Sequence, residues 1–159
     1  MSECVTFRPL QESDFAWLIA QVASPEELFL VHPAATFPWT DEQLRQLANE
    51  RAALTIMLVG EQRAGFANLY QVQPRHSAFI GNVLVNGALR GRGLGRRLMQ
   101  HMLEVCVARY QAQPHLSVFA ENTRAQHLYQ SLGFAVYDQC LRSTPDGHSK
   151  ALLHMRHEP

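Results

Sequence analysis

The sequence lacks the features that mark membrane, secreted and disulfide-rich proteins. No apolar run approaches the roughly 18 residues that a membrane-spanning helix needs. The first residues, Met1-Ser2-Glu3-Cys4, have no basic segment leading into an apolar one, so they do not resemble a secretory signal. The three cysteines include no Cys-x-x-Cys pair, and such a set favours free thiols in a reducing compartment. We expect a cytoplasmic protein with no membrane partner.

The sequence also has no internal repeat, low-complexity tract or linker. Its 159 residues are close to the size of one typical domain, which holds about 100–150 residues. The apolar fraction of 47% is enough to form a core. We therefore expect one domain over residues 1–159.

There is no excess of charge, since the formal net charge is zero. This balance argues against a general nucleic-acid binder. Locally, however, eight residues contain four arginines and no acid, namely Arg90, Arg92, Arg96 and Arg97. A short positive patch suits a compact polyanion, although it is also compatible with a solvated helix start. An RNA-binding use is weak because no aromatic residue lies between these arginines.

Hydrophobic periodicity predicts the element order β-α-α-β-β-β-α-β-α-β-β. Strands are predicted at residues 5–9, 54–59, 65–72, 79–85, 116–120, 134–141 and 151–155. Ser13 and Thr40 are predicted helix N-caps, Thr40 with Gln43 in a capping box. Residues 24–39 contain three prolines and are predicted to be a loop. Hairpins and helical crossovers both occur, so we expect an α+β fold with a mixed, largely antiparallel central sheet flanked by helices.

The segment 83–95 is rich in glycine and arginine and runs from a strand through a loop into a helix. The first turn of a helix offers unpaired N–H groups, glycines allow close approach to an anion, and arginines add charge-assisted hydrogen bonds. A phosphate or pyrophosphate is the expected ligand; the alternative is a turn that only starts the helix. A Walker A loop is excluded because Gly-Lys-Ser/Thr is absent, and Gly91-x-Gly93-x-Gly95 lacks the dinucleotide-binding spacing.

Two motifs resemble those of one family. Arg90-x-x-Gly93-x-Gly95 resembles the acyl-CoA pyrophosphate motif of the GNAT N-acetyltransferase superfamily, Arg/Gln-x-x-Gly-x-Gly/Ala. Gly87 departs from the proline that many members carry there. Residues 122–134 match a second signature, Asn-x-x-Ala-x-x-Leu-Tyr-x-x-x-Gly-Phe, at each defined position. With Phe7-Arg8-Pro9…Asp14-Phe15, the resemblance covers the whole chain in outline and is specific over residues 83–134.

The resemblance implies an acetyl-CoA-dependent N-acetyltransferase that needs no metal and passes the acetyl group directly to a primary amine. The eight histidines are consistent with an enzyme that needs no metal, since none of them has convincing metal-ligand spacing. By resemblance, acetyl-CoA is bound by Val83, Val85, Arg90, Gly91, Arg92, Gly93, Leu94, Gly95, Arg96 and Asn122. Asn122 could equally be a plain N-cap. Tyr129 is implied to be the general acid that protonates the leaving thiolate, and the alternative is a core tyrosine.

The acceptor and the general base are less well defined by the sequence. Many GNAT enzymes carry an acid on the strand before the pyrophosphate loop, where this chain has Asn82. The base is then Glu26, Glu27, Glu121 or a chain of waters. Residues 24–39, including Trp39, are expected to select the acceptor, a small-molecule amine or a protein or peptide amine. We expect a monomer or homodimer. A non-catalytic acyl-CoA-binding or sensing module is the alternative function.

Overall fold

The computed structural model describes residues 4–158, and Met1–Glu3, part of the segment compared with a secretory signal, and Pro159 lie outside the described residues. These residues form a sheet of seven strands in the order β1-β2-β3-β4-β5-β7-β6. The strands are β1 Val5–Pro9, β2 Ala52–Val59, β3 Gln62–Gln73, β4 Ser77–Val85, β5 Gln113–Phe119, β6 Phe134–Ser143 and β7 Ser149–His157. The α-helices are α1 Phe15–Gln21, α2 Pro25–Val31, α3 Asp41–Glu50, α4 Leu94–Tyr110 and α5 Thr123–Ser131.

All neighbouring strands are antiparallel except β4 and β5, which are parallel. The parallel pair is joined by α4, as a crossover connection requires. The predicted α+β class and the mixed, largely antiparallel sheet are therefore confirmed.

Three α-helices, not two, precede β2, so the predicted loop at residues 24–39 is wrong over α2. The Ser24 hydroxyl accepts a hydrogen bond from the Glu27 amide at 3.1 Å, and Pro25 occupies the first helical position. Proline is favourable at that position because its missing N–H would have no helical partner there. The three prolines of residues 24–39 predicted a loop, whereas Pro25 with Ser24 before it marks a helix start.

The predicted cap at Ser13 is also wrong, whereas the cap at Thr40 is confirmed. Ser13 lies inside a short 3₁₀ turn, Glu12–Asp14, and α1 begins at Phe15 with Asp14 as its N-cap residue. The Thr40 hydroxyl accepts from the Gln43 amide at 3.3 Å. The Gln43 side chain does not complete a capping box, because it bonds instead to the main chain of Thr36 at 2.9 and 3.0 Å.

Helices cover both faces of the sheet and create two apolar clusters. On one face α4 packs its buried residues, including Leu98 and Met102, against Met57 and other sheet residues. On the other face α1 and α3 pack against Ile56 and Phe66. Ile56 and Met57 are consecutive and enter opposite clusters, as the two-residue period of a strand requires. The central strands are thus fixed from both sides, which holds their ends in place.

Among the helices of residues 4–158, none has the length and apolar character required to cross a membrane.

Candidate active site

The two parallel strands of the sheet separate part-way along their length. The β4–β5 ladder pairs Ser77 with Gln113 and ends at Ile80 with Leu116. β4 continues to Val85 and β5 to Phe119, but the two strands no longer pair. Main-chain groups of β4 that face β5 beyond Ile80 consequently have no strand partner, and they are available to a ligand in the gap.

A β-bulge lies on β4 where the gap opens. Phe66 pairs with Leu84 and Asn68 with Gly81, so Asn82 and Val83 together oppose the single residue Ala67. Asn82 has a φ of 51°, in the left-handed region. Such a bulge bends the strand and redirects its groups, and it is common beside active sites.

The bulge is held by buried amide side chains. Asn68 Nδ2 donates to Asn82 Oδ1 at 2.8 Å, and Asn82 Nδ2 donates to the Val31 carbonyl at 2.8 Å. Asn68 Oδ1 in turn accepts from Arg51 Nη1 at 3.1 Å. Asn82 therefore fixes the bulge and joins β4 to the end of α2; it has no role as a proton acceptor.

A cavity of about 430 Å³ occupies the gap, a volume usual for small-molecule sites. Its wall includes Val83 of β4, Asn122 and Tyr129 at α5, and Ser117 and His154 of β5 and β7. The end of α2 closes one side. The structure thus brings together three of the predicted site residues, Val83, Asn122 and Tyr129, although about 40 residues separate the first two along the chain.

Asn122 is the N-cap of α5, and its Oδ1 accepts from the Ala125 amide at 3.2 Å. This agrees with the capping alternative and leaves the side-chain nitrogen at the cavity wall. Tyr129 lies two turns further along α5, with its ring edge-on to Phe134 at 6.3 Å between centroids. Burial raises the pKa of Tyr129 to about 12, so its phenol is protonated at neutral pH.

The arginine–glycine loop leads directly into α4. Gly91 and Gly93 have φ values of 81° and 74°, which favour glycine. The first helical bond of α4 runs from the Arg97 amide to the Gly93 carbonyl at 3.2 Å. Within residues 4–158, the amides of Gly95 and Arg96 therefore have no helical acceptor, as expected of a helix start that binds an anion.

The other motif residues of the loop are not part of the cavity wall. Arg90, Gly91 and Arg92 are exposed, whereas Leu94 is buried in the core beneath α4. Arg96 Nη2 donates to Ser131 Oγ at 2.6 Å and so ties the start of α4 to the end of α5. Val85 lies beside the loop, because a methyl group added at Gly95 would contact it at 3.8 Å.

Residues 30–34 of the predicted acceptor segment line the cavity, whereas the four side chains named for the acceptor, Glu26, Glu27, Trp39 and Glu121, lie outside its wall. Glu27 caps its own helix, since it accepts from the Ala23 amide at 2.6 Å, and Glu26 is exposed in the same turn. Glu121 forms an ion pair with Lys150. Trp39 is 2% exposed and packs in the core with α1 and α3. Their role with the acceptor stays a prediction.

Several polar residues of the cavity wall were not identified from the sequence: Arg51, Tyr70, Ser117, Arg142 and His154. Ser117 Oγ lies 2.7 Å from His154 Nδ1. The sequence does place His154 on the same face of β7 as Leu152, because the two residues are two positions apart on a strand. Both residues line the cavity. Arg51 and Arg142 follow no motif, and only the fold brings them to one cavity.

His32, at the end of α2, also lines the cavity. Burial, followed by the charge of Arg51, lowers the pKa of His32 to about 4, so its ring is neutral at neutral pH. Among residues 4–158, no group of three or more His, Cys, Asp or Glu side chains is arranged to hold a metal ion.

The split sheet and the loop before α4 define an acetyltransferase-like α+β protein, and comparisons with known proteins agree. A sequence profile described as "Acetyltransferase (GNAT) family" matches residues 15–134. The chain belongs to this family, whose members use acetyl-CoA as co-substrate, as the motifs at Arg90 and Asn122 predicted.

Relatives and solved structures extend the comparison. The chain is 30% identical over 122 residues to the [ribosomal protein bS18]-alanine N-acetyltransferase of Salmonella typhimurium, covering 76% of this chain and 81% of the relative. The crystal structure of the corresponding Escherichia coli enzyme has a TM-score of 0.72 at 26% identity, covering 97% and 93% of the two chains. Spermidine N-acetyltransferase of Vibrio cholerae, in complex with CoA and spermine, has a TM-score of 0.78 at 18% identity, with 96% and 94% coverage, and shows the fold alone.

Proposed function

We propose that this protein transfers the acetyl group of acetyl-CoA to a primary amine by direct attack of the amine. One observation carries the proposal. The gap between β4 and β5 holds a cavity lined by Val83, Asn122 and Tyr129, and β4 leads from it to a helix start with unpaired amides.

The residues present fit the shape and charge of acetyl-CoA, a ligand with an anionic pyrophosphate and a narrow pantetheine arm. The loop offers the amides of Gly95 and Arg96 at the positive end of α4, which suits a pyrophosphate. The unpaired main chain near Val83 and Val85 suits the amide groups of the arm. Asn122 has a side-chain nitrogen at the same wall.

Acetyl-CoA supplies an activated thioester, and the chain supplies the groups that position and polarise it. We assign hydrogen bonding at the thioester carbonyl to the β4 amides near the bulge, because preorganised donors of this kind stabilise developing negative charge. Tyr129 is the proton donor for the departing thiolate. Of the expected routes for deprotonating the amine, a water chain agrees best with the structure, because Glu26, Glu27 and Glu121 lie outside the cavity wall.

The relative from Salmonella typhimurium is named for an alanine of ribosomal protein bS18, and the Vibrio cholerae structure for spermidine. Both acceptors are amines, which supports an amine acceptor here. A non-catalytic acyl-CoA-binding module is not favoured, because both of these proteins are named for transfer. The function is tested by release of free CoA thiol from acetyl-CoA over a panel of amines. Release that depends on an amine supports it, and hydrolysis at one rate with or without amine contradicts it.

Replacing Gly93 by valine should abolish the stabilisation by acetyl-CoA. In the wild type, acetyl-CoA at about 100 times its Kd should raise Tm by about 5–10 °C, since binding adds about 2.7 kcal/mol to the native state. Gly93 has a φ of 74°, so a branched side chain there strains the turn that presents the α4 amides. Thermal unfolding with and without acetyl-CoA measures both effects.

Gly147→Val is the matched control. Gly147 has a φ of 88° in the β6–β7 turn, and, as at Gly93, an added methyl group would meet nothing within 4 Å. Both variants should lose about 1–2 kcal/mol of stability without ligand. Only Gly147→Val should keep the shift with acetyl-CoA. An equal increase in Tm with acetyl-CoA in both variants would show that the loop is not part of the binding site.

A further inference from the structure

The charged groups on the cavity wall are of one sign. Among residues 4–158, the wall contains two arginines, Arg51 and Arg142, and neither Asp nor Glu. Its other titratable groups include Tyr70 and His154, and His32 is neutral at neutral pH. A cavity with this lining attracts an anion and repels a polycation.

Arg51 is held at the cavity by contacts with the neutral side chains of Asn68 and Tyr70. Its Nη1 donates to the neutral amide oxygen of Asn68 at 3.1 Å, and its guanidinium lies 4.3 Å from the centre of the Tyr70 ring. No carboxylate among residues 4–158 forms an ion pair with it. Burial lowers the pKa of Arg51, and the charges of Tyr70 and the nearby Glu50 act in the opposite direction. The guanidinium thus bears a desolvation cost that a bound anion would offset.

Gly81 of β4 makes room for this arrangement. A methyl group at Gly81 would lie 2.5 Å from the Tyr70 ring and 2.8 Å from Arg51 Nη1. The guanidinium therefore rests against β4 only two residues before Val83. Two residues of strand span about 6–7 Å, so an anion at Arg51 lies within a few bonds of a group at the bulge.

Arg142 of β6 provides a second positive charge at the same wall. It forms no ion pair with any residue of 4–158, whereas Lys150, its partner across the hairpin, is paired with Glu121. Tyr70 is close enough to both arginines to be affected by their charges: burial raises its pKa, whereas a hydrogen bond with Ser117 and the charges of Arg51 and Arg142 act in the opposite direction. The three side chains thus line one cavity with two guanidinium groups and one phenol.

We infer that the acceptor is a small primary amine that also carries an anionic group, a carboxylate as in an amino acid, bound by Arg51 and Arg142 while its amine faces the β4 bulge. This inference rests on the proposed transfer from acetyl-CoA and adds the class of acceptor. A polyamine places positive charge against both arginines. A peptide N-terminus has a neutral amide where an amino acid has its carboxylate.

The test measures CoA release with acceptors in matched pairs. The panel contains α- and ω-amino acids with their carboxamides, aminophosphonates, spermidine, and short peptides with a free N-terminus. We expect at least one amino acid to exceed its own carboxamide by about 30-fold or more in kcat/KM, the effect of losing a buried charge-assisted contact. A preference for spermidine, peptides or carboxamides would overturn the anionic acceptor but leave the transferase function intact. No release with any amine would overturn both.

Variants locate the subsite. Arg142→Gln changes an exposed side chain with no bond to another residue of 4–158, so the fold should be unaffected. This variant should lower kcat/KM for the best amino acid at least about 10-fold and leave kcat/KM for the corresponding carboxamide unchanged. Arg51→Gln should have the larger effect, and Arg45→Gln, on the outer surface of α3, should have none. Acetyl-CoA should still raise Tm in all three variants. An unchanged ratio of amino acid to carboxamide in Arg142→Gln would contradict the assignment.

Discussion

Tyr129→Phe should lower kcat by about 10²–10⁴ and leave the fold intact, because loss of general acid catalysis is typically worth that much. The substitution keeps the ring that packs against Phe134 and removes only the hydroxyl. That hydroxyl is protonated at neutral pH, since burial raises the pKa of Tyr129 to about 12. No residue of 4–158 forms a hydrogen bond with this hydroxyl, so its proton is available for donation to the ligand. Steady-state kinetics with a saturating amine measures the change.

Tyr110→Phe is the control, because it removes the same hydroxyl at the end of α4, away from the cavity wall. Its kcat should stay within about twofold of the wild type. Acetyl-CoA should raise Tm equally in both variants, since the proton donor acts on the departing thiolate and not in binding. If Tyr129→Phe keeps kcat within about threefold and loses 1 kcal/mol or more of stability, Tyr129 is a structural tyrosine.

The sequence was most informative where a local pattern determines the structure. The glycines at 91 and 93 supply backbone angles with positive φ that other residues avoid, and Leu94 begins a helix whose apolar residues keep the helical period. Asn122 predicted its own helix start in the same way. Such features depend on neighbours within a few residues, so they are visible without the fold.

The two arginines of the cavity wall could not be predicted because distant segments bring them together. Arg51 ends α3 and Arg142 lies on β6, about 90 residues later, and neither belongs to a motif. Their proximity depends on the strand order, which places β6 and β7 beside β5. The bulge at Asn82 likewise depends on the Asn68 amide from the neighbouring strand. Sequence spacing carries no information about such long-range pairs.

The helix α2 was missed for a different reason. Pro25, Pro33 and Pro38 predict an irregular segment if they are counted together, but a proline is compatible with a helix at its first position. The residues Ser24, Pro25 and Glu27 form a capped N-terminus, which is a local signal. Glu26 and Glu27 therefore lie in the first turn of a helix, where Glu27 accepts from the Ala23 amide, and their role with the acceptor stays a prediction.

The pair Arg8 and Asp14, part of the N-terminal resemblance, has a structural role. Asp14 is 0% exposed, and its two oxygens accept from Arg8 at 2.7 and 2.8 Å, from Arg63 Nε at 2.7 Å and from the Gln11 amide at 2.8 Å. This carboxylate therefore joins β1, β3 and the start of α1. Removing one partner of a buried ion pair is costly because it leaves charge and donors without compensation.

Asp14→Asn should reduce the free energy of unfolding by about 3 kcal/mol at pH 7. The value is at the lower end for a broken buried pair, because Arg8 and Arg63 are about a third exposed and can be partly solvated. Glu12→Gln is the control, since it removes the exposed Arg45–Glu12 pair and should cost under about 1 kcal/mol. Denaturant unfolding of the three proteins measures the difference, and equal losses in the two variants would contradict a special role for Asp14.

The Arg8–Asp14 ion pair also predicts how the free energy of unfolding depends on pH. Burial alone would raise the pKa of Asp14, but hydrogen bonds from Arg8, Arg63 and the Gln11 amide lower it from 3.8 to about 2. A carboxyl group with a lowered pKa in the folded state contributes stability in full above its unfolded value, and that contribution is lost as the pH falls through the folded value. The wild type should therefore lose about 2 kcal/mol from this group between pH 5 and pH 2. Asp14→Asn lacks the titrating group, so the difference in free energy of unfolding between the wild type and the variant should become smaller over that interval. A difference that stays constant from pH 7 to pH 2 would show that packing, and not charge, is the source of the stability of this cluster.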